Sequence, residues 1–385
     1  MVAAPFGHPV YVMLKPVGST CNMACNYCYY QGKGRQTLGE TLLEEFTRQY
    51  IEAQTQRDVL FTWHGGEPLL RPLSFYRRAL ELQRHYARGH HIDNCLQTNG
   101  TLLTDEWCEF LRENHFLVGI SIDGPQPLHD AYRHRAGKGS FDDVMRGIRL
   151  LQKHGVEWNA MATVNSLNAD HPLEFYHFFK ETGCQFLQFT PVVERHAGAR
   201  IVSPGEAGRV AGFSVSPTQW GRFLCQLFDE WLRCDDVGRV FVQIFDATLA
   251  NWVGAEPGLC SLSPTCGSAT VMESDGSVYA CDHFVFPEYR LGSIHQQTLT
   301  QMLYSEQQGR FGQQKLTALP RQCRECVFCF ACHGECPRNR FVSDRYGEPG
   351  LNYLCEGYRQ FFSHAAPTMS QMAKNLNLSP FQAPA

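Results

Sequence analysis

"GSTCNMACNYCYY", residues 18–30, sets Cys21, Cys25 and Cys28 within eight residues, directly after the apolar run "VYVMLKP" that reads as a first strand. Three thiols in one short loop, with no histidine at ligand spacing, do not make a closed tetrahedral zinc site. They suit a cubane of four irons and four sulfides, because three thiolates leave one iron open to a small molecule. The CxxxCxxC spacing lets one loop wrap one cluster, with Tyr27 and neighbouring apolar residues shielding it from water.

Beyond this loop the chain keeps alternating short β-type runs with amphipathic helical stretches. The runs are "VYVMLKP", "VLFTWHGGEP", "IDNCLQTNG", "FLVGISIDG", "VEWNAMATVN" and "FLQFTPVVE". Apolar residues recur at three and four between them, as in "ETLLEEFTRQYIEA". Such alternation implies parallel strands joined by right-handed crossovers. Six units fit an α/β fold, either a partial (β/α)6 barrel or an open doubly wound sheet. The glycine-rich and polar pieces "HGGEP", "QTNG" and "SIDGP" all fall at the C-terminal ends of strands, where barrel folds gather their chemistry, and this favours the barrel. Residues 195–217, rich in Gly, Ser, Ala and Pro, read as a long loop or linker, and the last dozen residues as a loose tail.

The 385 residues carry 34 basic and 38 acidic side chains, so no surface suited to tracking phosphates is expected and no nucleic-acid partner. The N-terminus lacks a basic, long apolar signal, and no stretch approaches a membrane span. A cytoplasmic protein with no membrane partner is the expectation. Seventeen cysteines in a reducing compartment point to metal rather than to disulfides. Twelve of them fall at 21–28 and 260–355; Cys95, Cys108, Cys184, Cys225 and Cys234 are scattered and read as small buried apolar residues.

The CxxxCxYC loop after a first strand, with "GGEP" after a second, closely resembles radical S-adenosylmethionine (SAM) enzymes with a C-terminal SPASM domain, in particular the anaerobic sulfatase-maturating enzymes. The resemblance implies a TIM-like partial barrel over 1–234, an iron–sulfur SPASM domain over 235–370 and a tail over 371–385. It implies S-adenosyl-L-methionine and three 4Fe-4S clusters as cofactors, with Cys21, Cys25 and Cys28 on the SAM-binding cluster. SAM would meet the backbone around Tyr27, the motif Gly65, Gly66, Glu67 and Pro68, then Ser121, Arg133 and Val193. Glycines suit such contacts because backbone groups can approach the ligand.

The second cysteine zone offers eight thiols at spacings that fit two four-cysteine sites, and a pair of zinc ribbons would use the same spacings. The spacing leaves open which thiol joins which site. The resemblance assigns Cys260, Cys266, Cys281 and Cys336 to one auxiliary cluster, and Cys323, Cys326, Cys332 and Cys355 to the other. Cys329 is a ninth thiol, expected to be packed and unligated.

The implied reaction oxidises an active-site cysteine or serine of a sulfatase to Cα-formylglycine. A 5′-deoxyadenosyl radical removes a hydrogen atom, a base takes the thiol or hydroxyl proton, and a second electron leaves through an auxiliary cluster. Asp282, next to Cys281, matches the family's base, while Tyr30 and His64 are candidates for lining the substrate pocket. Asp275, in the "SDG" turn, reads as turn chemistry. The implied partners are an unfolded sulfatase segment of the type C/S-x-P-x-R and an electron donor such as flavodoxin or ferredoxin. Two rivals remain at this point: a radical SAM maturase that crosslinks ribosomal peptides, and a non-catalytic zinc scaffold. About ten residues precede the first strand, which leaves no room for the leader-binding domain of some crosslinking enzymes.

Overall fold

The structure is a computed structural model that describes residues 11–198 and 200–376. All six apolar runs become strands: β1 (Tyr11–Leu14), β2 (Asp58–Trp63), β3 (His91–Thr98), β4 (Leu117–Ser121), β5 (Trp158–Val164) and β6 (Phe186–Pro191). Three further strands follow the long helices, β7 (Ala269–Met272), β8 (Ser277–Tyr279) and β9 (Arg290–Ser293). The principal helices are α1 (Glu40–Glu52), α2 (Leu73–Tyr86), α3 (Asp105–Glu113), α4 (Phe141–His154), α5 (Pro172–Glu181), α6 (Pro217–Arg233), α7 (Gln243–Trp252), α8 (Glu306–Thr317) and α9 (Cys355–Asn375). Among the described residues no helix is long and apolar enough to cross a membrane.

The described chain divides into two compact units that do not follow chain order: one takes residues 11–122, 129–159 and 267–312, the other 123–128, 160–266 and 313–376. In the first unit the strands run β4-β3-β2-β1-β7-β8-β9. β1 to β4 are parallel, β1 also pairs in parallel with β7, and β8 and β9 return antiparallel. Residues 267–312, near in sequence to the C-terminal cysteines, thus extend the sheet that starts at β1. Leu14 stands opposite Trp63 on one side and Met272 on the other, so Lys15, His64 and Glu273 leave three adjacent strands at one level. Tyr50, Phe61, Trp63 and Tyr76 fill the core under this edge, with the Tyr50 and Phe61 rings edge to face at 5.0 Å. The Thr104 hydroxyl caps α3 by accepting from Trp107 N–H, and Gly155 ends α4 in the left-handed region at φ 66°.

In the second unit β5 and β6 pair in parallel, Ala160 opposite Leu187. α6 opens on a capping box of Ser216 and Gln219 with Pro217 at its first position. It packs against α9, with Phe361 meeting Phe228 of α6 and Phe245 of α7. The segment 195–217, expected to be a loop, instead contains a small three-stranded sheet of Arg195–Ala197, Arg200–Ile201 and Arg209–Val210. Its few apolar residues carry little periodicity. The buried Arg195 side chain supplies part of the order, donating to the Glu206 and Ser203 carbonyls. Of the expected tail, residues 371–375 complete α9, and 377–385 lie outside the described residues.

The approach of α6 and α9 relies on glycine. A Cβ on Gly357 would stand 2.3 Å from the Pro217 carbonyl oxygen, a backbone atom that cannot yield cheaply. Gly357→Ala is therefore expected to destabilise the fold by about 2 kcal/mol or more in denaturant titration. Gly309 in α8 has open space around it, and Gly309→Ala should stabilise by up to about 1 kcal/mol in the same measurement.

Candidate active site

The cysteine loop is pinned by backbone and side-chain hydrogen bonds to two neighbouring strand ends and to the segment 132–134, all in the first unit. Gly66 N–H donates to Gly18 O at 2.7 Å and Glu67 N–H to Thr20 O at 2.9 Å, which fastens GGEP to the start of the loop. A side chain at position 66 would put Cβ 2.0 Å from Thr20 O, so the close approach needs glycine. On the other side Ala24 and Asn26 N–H groups donate to His134 and Tyr132 carbonyls at 2.8 and 3.0 Å. Arg133, between those two residues, is buried with its guanidinium 5.5 Å from the Tyr27 ring centre. The third anchor is "QTNG": Asn99 donates to Asn22 Oδ1 at 2.9 Å and toward Cys21 Sγ at 3.8 Å, and Asn22 donates to the Thr101 hydroxyl at 2.8 Å.

Glu67 ties two of these anchors together. Its Oε1 accepts from Leu69 N–H (2.9 Å) and the Thr98 hydroxyl (2.7 Å), and its Oε2 from Asn99 N–H (2.9 Å). The side chain is fully buried, and burial pushes its carboxyl up to about 7 against these three donors. Ser121, at the end of β4, accepts from Gln97 Nε2 at 3.0 Å. The structure thus brings Cys21, Cys25, Cys28, Tyr27, Gly65, Gly66, Glu67 and Arg133 around one loop. Val193 lies in the second unit, buried two residues past β6.

A second group of charged side chains sits at the same strand ends. Asp282 follows β8 in a short turn, with its side chain 13% exposed and Oδ1 2.6 Å from Lys15 Nζ. The Tyr29 hydroxyl donates to Asp282 Oδ2. Burial alone would raise this carboxyl, but the positive charge of Lys15 at 2.6 Å outweighs it and holds the acid below the ordinary carboxylate range. His64 is shifted down, first by desolvation and then by Lys15. Its Nδ1 accepts from Gly65 N–H at 2.7 Å and lies 3.3 Å from Lys15 Nζ. Tyr30 is buried beneath, its hydroxyl donating to Glu273 and its ring 4.2 Å from the lysine nitrogen. Burial, more than any neighbour, raises Glu273.

Sequence reasoning singled out Asp282, Tyr30 and His64, which the structure sets around Lys15, and passed over Lys15 itself, Tyr29, Glu273, Asn22 and Asn99. Lys15 had a legible signal: a lone cation closing an otherwise apolar strand. The acidic turn after β7 had none, because nothing in the sequence pairs β1 with β7.

The C-terminal thiols divide between the units. Cys281 belongs to the first; Cys260, Cys266, Cys323, Cys326, Cys332, Cys336 and Cys355 belong to the second. Within the second unit burial, then Glu335 and the neighbouring Cys266 and Cys260, raises the Cys336 thiol, and Lys315 donates to the Cys260 and Ser261 carbonyls at 2.6 and 2.8 Å. Cys323, Cys326, Cys332 and Cys355 line one cavity with Phe328, and Cys329 lines it too. Among the described residues no three His, Cys, Asp or Glu side chains close on a single metal ion. A ring of thiols around a cavity, and three thiols on a loop supplied with N–H donors at Cys21, are donor sets that fit iron–sulfur clusters. Burial pushes Cys266 up to about 11 and Cys323 to about 12; ligation reverses this, since a coordinating thiol is deprotonated.

Residues 16–179 match the Radical SAM superfamily, and residues 265–327 match SPASM, an iron–sulfur cluster-binding domain. A serine-type anaerobic sulfatase-maturating enzyme of Bacteroides thetaiotaomicron is 59% identical, over 97% of this chain and 93% of that protein. A cysteine-type anaerobic sulfatase-maturating enzyme of Clostridium perfringens is 34% identical over 96% of this chain and 99% of its own. The solved structure "Native anSMEcpe with bound AdoMet and Cp18Cys peptide" superposes with a TM-score of 0.86 at 34% identity, covering 96% of this chain and all of that one.

Asn99 joins the GGEP brace to the cysteine loop, and Asn99→Ala removes its bonds to Asn22, Thr101 and Cys21. Losing these bonds, with the buried Thr101 hydroxyl among the groups left unmatched, should destabilise the chain by about 1 kcal/mol or more in chemical denaturation.

Proposed function

The chain belongs to the anaerobic sulfatase-maturating enzymes, radical SAM proteins that convert a cysteine or serine to formylglycine, and we propose that its target is the serine of a serine-type sulfatase. The observation that carries this finer reading is 59% identity to a serine-type enzyme against 34% to a cysteine-type one, both over nearly the whole chain. Family membership decides against the zinc scaffold and the crosslinking maturase.

SAM and 4Fe-4S clusters are the cofactors of this family. Cys21, Cys25 and Cys28 would hold the SAM-binding cluster, and the two auxiliary sets would be Cys260, Cys266, Cys281, Cys336 and Cys323, Cys326, Cys332, Cys355. Bound together, the first cluster and SAM supply a 5′-deoxyadenosyl radical that can take a hydrogen atom from the target's Cβ. Gly65 and Gly66 keep backbone groups clear of side chains for the SAM amino end, Tyr27, Ser121, Arg133 and Val193 complete the pocket, and Glu67 braces it from below. Asp282 takes the hydroxyl proton: Lys15 holds the carboxylate ionised, and an ionised carboxylate can accept one. Tyr30 and His64 line the target's side of the pocket. The domains are taken as 1–234 and 235–370, the compartment as the cytoplasm, and the electron donor as a flavodoxin or ferredoxin.

Reduced, reconstituted protein given SAM and a peptide containing S-x-P-x-R should yield a peptide aldehyde, two hydrogens lighter by mass spectrometry, faster than the C-x-P-x-R peptide yields it. A preference for cysteine would overturn the serine assignment, and SAM cleavage with neither peptide altered would overturn the activity. Asp282→Asn should keep iron content and SAM cleavage yet lose about 10²-fold or more of the aldehyde; turnover near that of the unaltered protein would remove Asp282 from the base's role.

A further inference from the structure

Lys15 is a wholly buried cation with three partners from three chain segments, and no step of the reaction yet uses it. Its Nζ is 2.6 Å from Asp282 Oδ1, 3.3 Å from His64 Nδ1 and 4.2 Å from the centre of the Tyr30 ring. A buried ion pair contributes little to folding compared with an apolar pair of the same volume, so stability alone gives Lys15 weak grounds to be there. Geometry gives stronger grounds. One Asp282 oxygen is held by Lys15 and the other by the Tyr29 hydroxyl, which fixes the plane of the carboxylate. The His64 Nδ1 atom faces two donors, Gly65 N–H and Lys15 Nζ, so the ring hydrogen belongs on Nε2. A single ammonium group therefore orients both the proposed base and the histidine beside it.

We propose that Lys15 is a positioning residue for the proton-transfer half of the reaction, clamping the Asp282 carboxylate and the His64 ring in one arrangement. This rests on the function proposed for the chain, and it separates the two kinds of target. A cysteine thiol, with a pKa near 8.5, gives up its proton far more readily than a serine hydroxyl does. A base held loosely still serves the thiol; the hydroxyl needs it aimed. Lys15 thus matters most for serine.

The test uses holoenzyme carrying Lys15→Met, which keeps length without charge, and Lys15→Arg, which keeps the charge. The readout is aldehyde formed per 5′-deoxyadenosine, with serine and cysteine peptides compared. Lys15→Met should cleave SAM within about twofold of the unaltered protein, lose about tenfold or more of the coupling ratio with the serine peptide, and lose about threefold or less with the cysteine peptide. Lys15→Arg should recover much of the serine ratio. Equal losses with both peptides, an unchanged ratio, SAM cleavage falling in step with aldehyde, or Arg no better than Met would each overturn the proposal. Should Lys15→Met not accumulate as folded protein, Lys15→Gln is read by the same outcomes. The unaltered enzyme separates the two claims: if it forms no aldehyde the function itself falls, whereas aldehyde formation with an indifferent Lys15 variant removes only the role of Lys15.

Discussion

β1 is hydrogen-bonded along both edges, to β2 on one side and β7 on the other, and the site depends on that double pairing. Parallel strands in matched register end at one level, so whatever follows each strand emerges beside its neighbours. Here the residues that emerge are Lys15, His64 and Glu273, and the hairpin behind β7 brings Asp282 back to the same edge. Shifting β7 by one residue would turn its alternate side chains to the opposite face and take Glu273 and Asp282 away from Lys15. The cysteine loop, which leaves β1 directly, inherits its position from the same strand.

Two carboxylates at this edge, Glu67 fully buried and Asp282 largely so, respond in opposite directions. Glu67 is surrounded by hydrogen-bond donors, yet burial dominates and pushes it up to about 7. Asp282 is desolvated as well, but the lysine 2.6 Å away reverses the direction. The difference assigns different work. Glu67 links GGEP to "QTNG" and so braces the cysteine loop; Asp282 stays ionised beside Lys15. Paired charge rather than exposure keeps it ionised.

The thiols follow a related logic. Without iron, burial keeps most of them protonated, so their chemistry appears only on ligation. The protein's contribution is to preset the cavity: aromatic and aliphatic walls around Cys323, Cys326, Cys332 and Cys355, and N–H groups of Met23 and Asn99 directed at Cys21. Cys329 shares the cavity wall and also packs beside Leu319, Cys323 and Leu351.

The amino-acid sequence by itself determined the parts whose signal is local. Six strands, the helices between them, the three-cysteine loop and GGEP are each written within a dozen residues, through periodicity, spacing and glycine. Asp282 was legible only through the resemblance to a family, because an Asp beside a metal-binding cysteine reads more readily as a cap or a supporting contact. Tertiary structure alone decided what depends on contacts between distant segments: the parallel pairing of residues 11–14 with 269–272, the meeting of Lys15 with Asp282, the small sheet within 195–217 and the gathering of five thiols around one cavity. A lysine at the end of a strand has the same local pattern whether it faces water or a buried acid. Only the fold, by choosing which strand lies beside β1, supplied the acid.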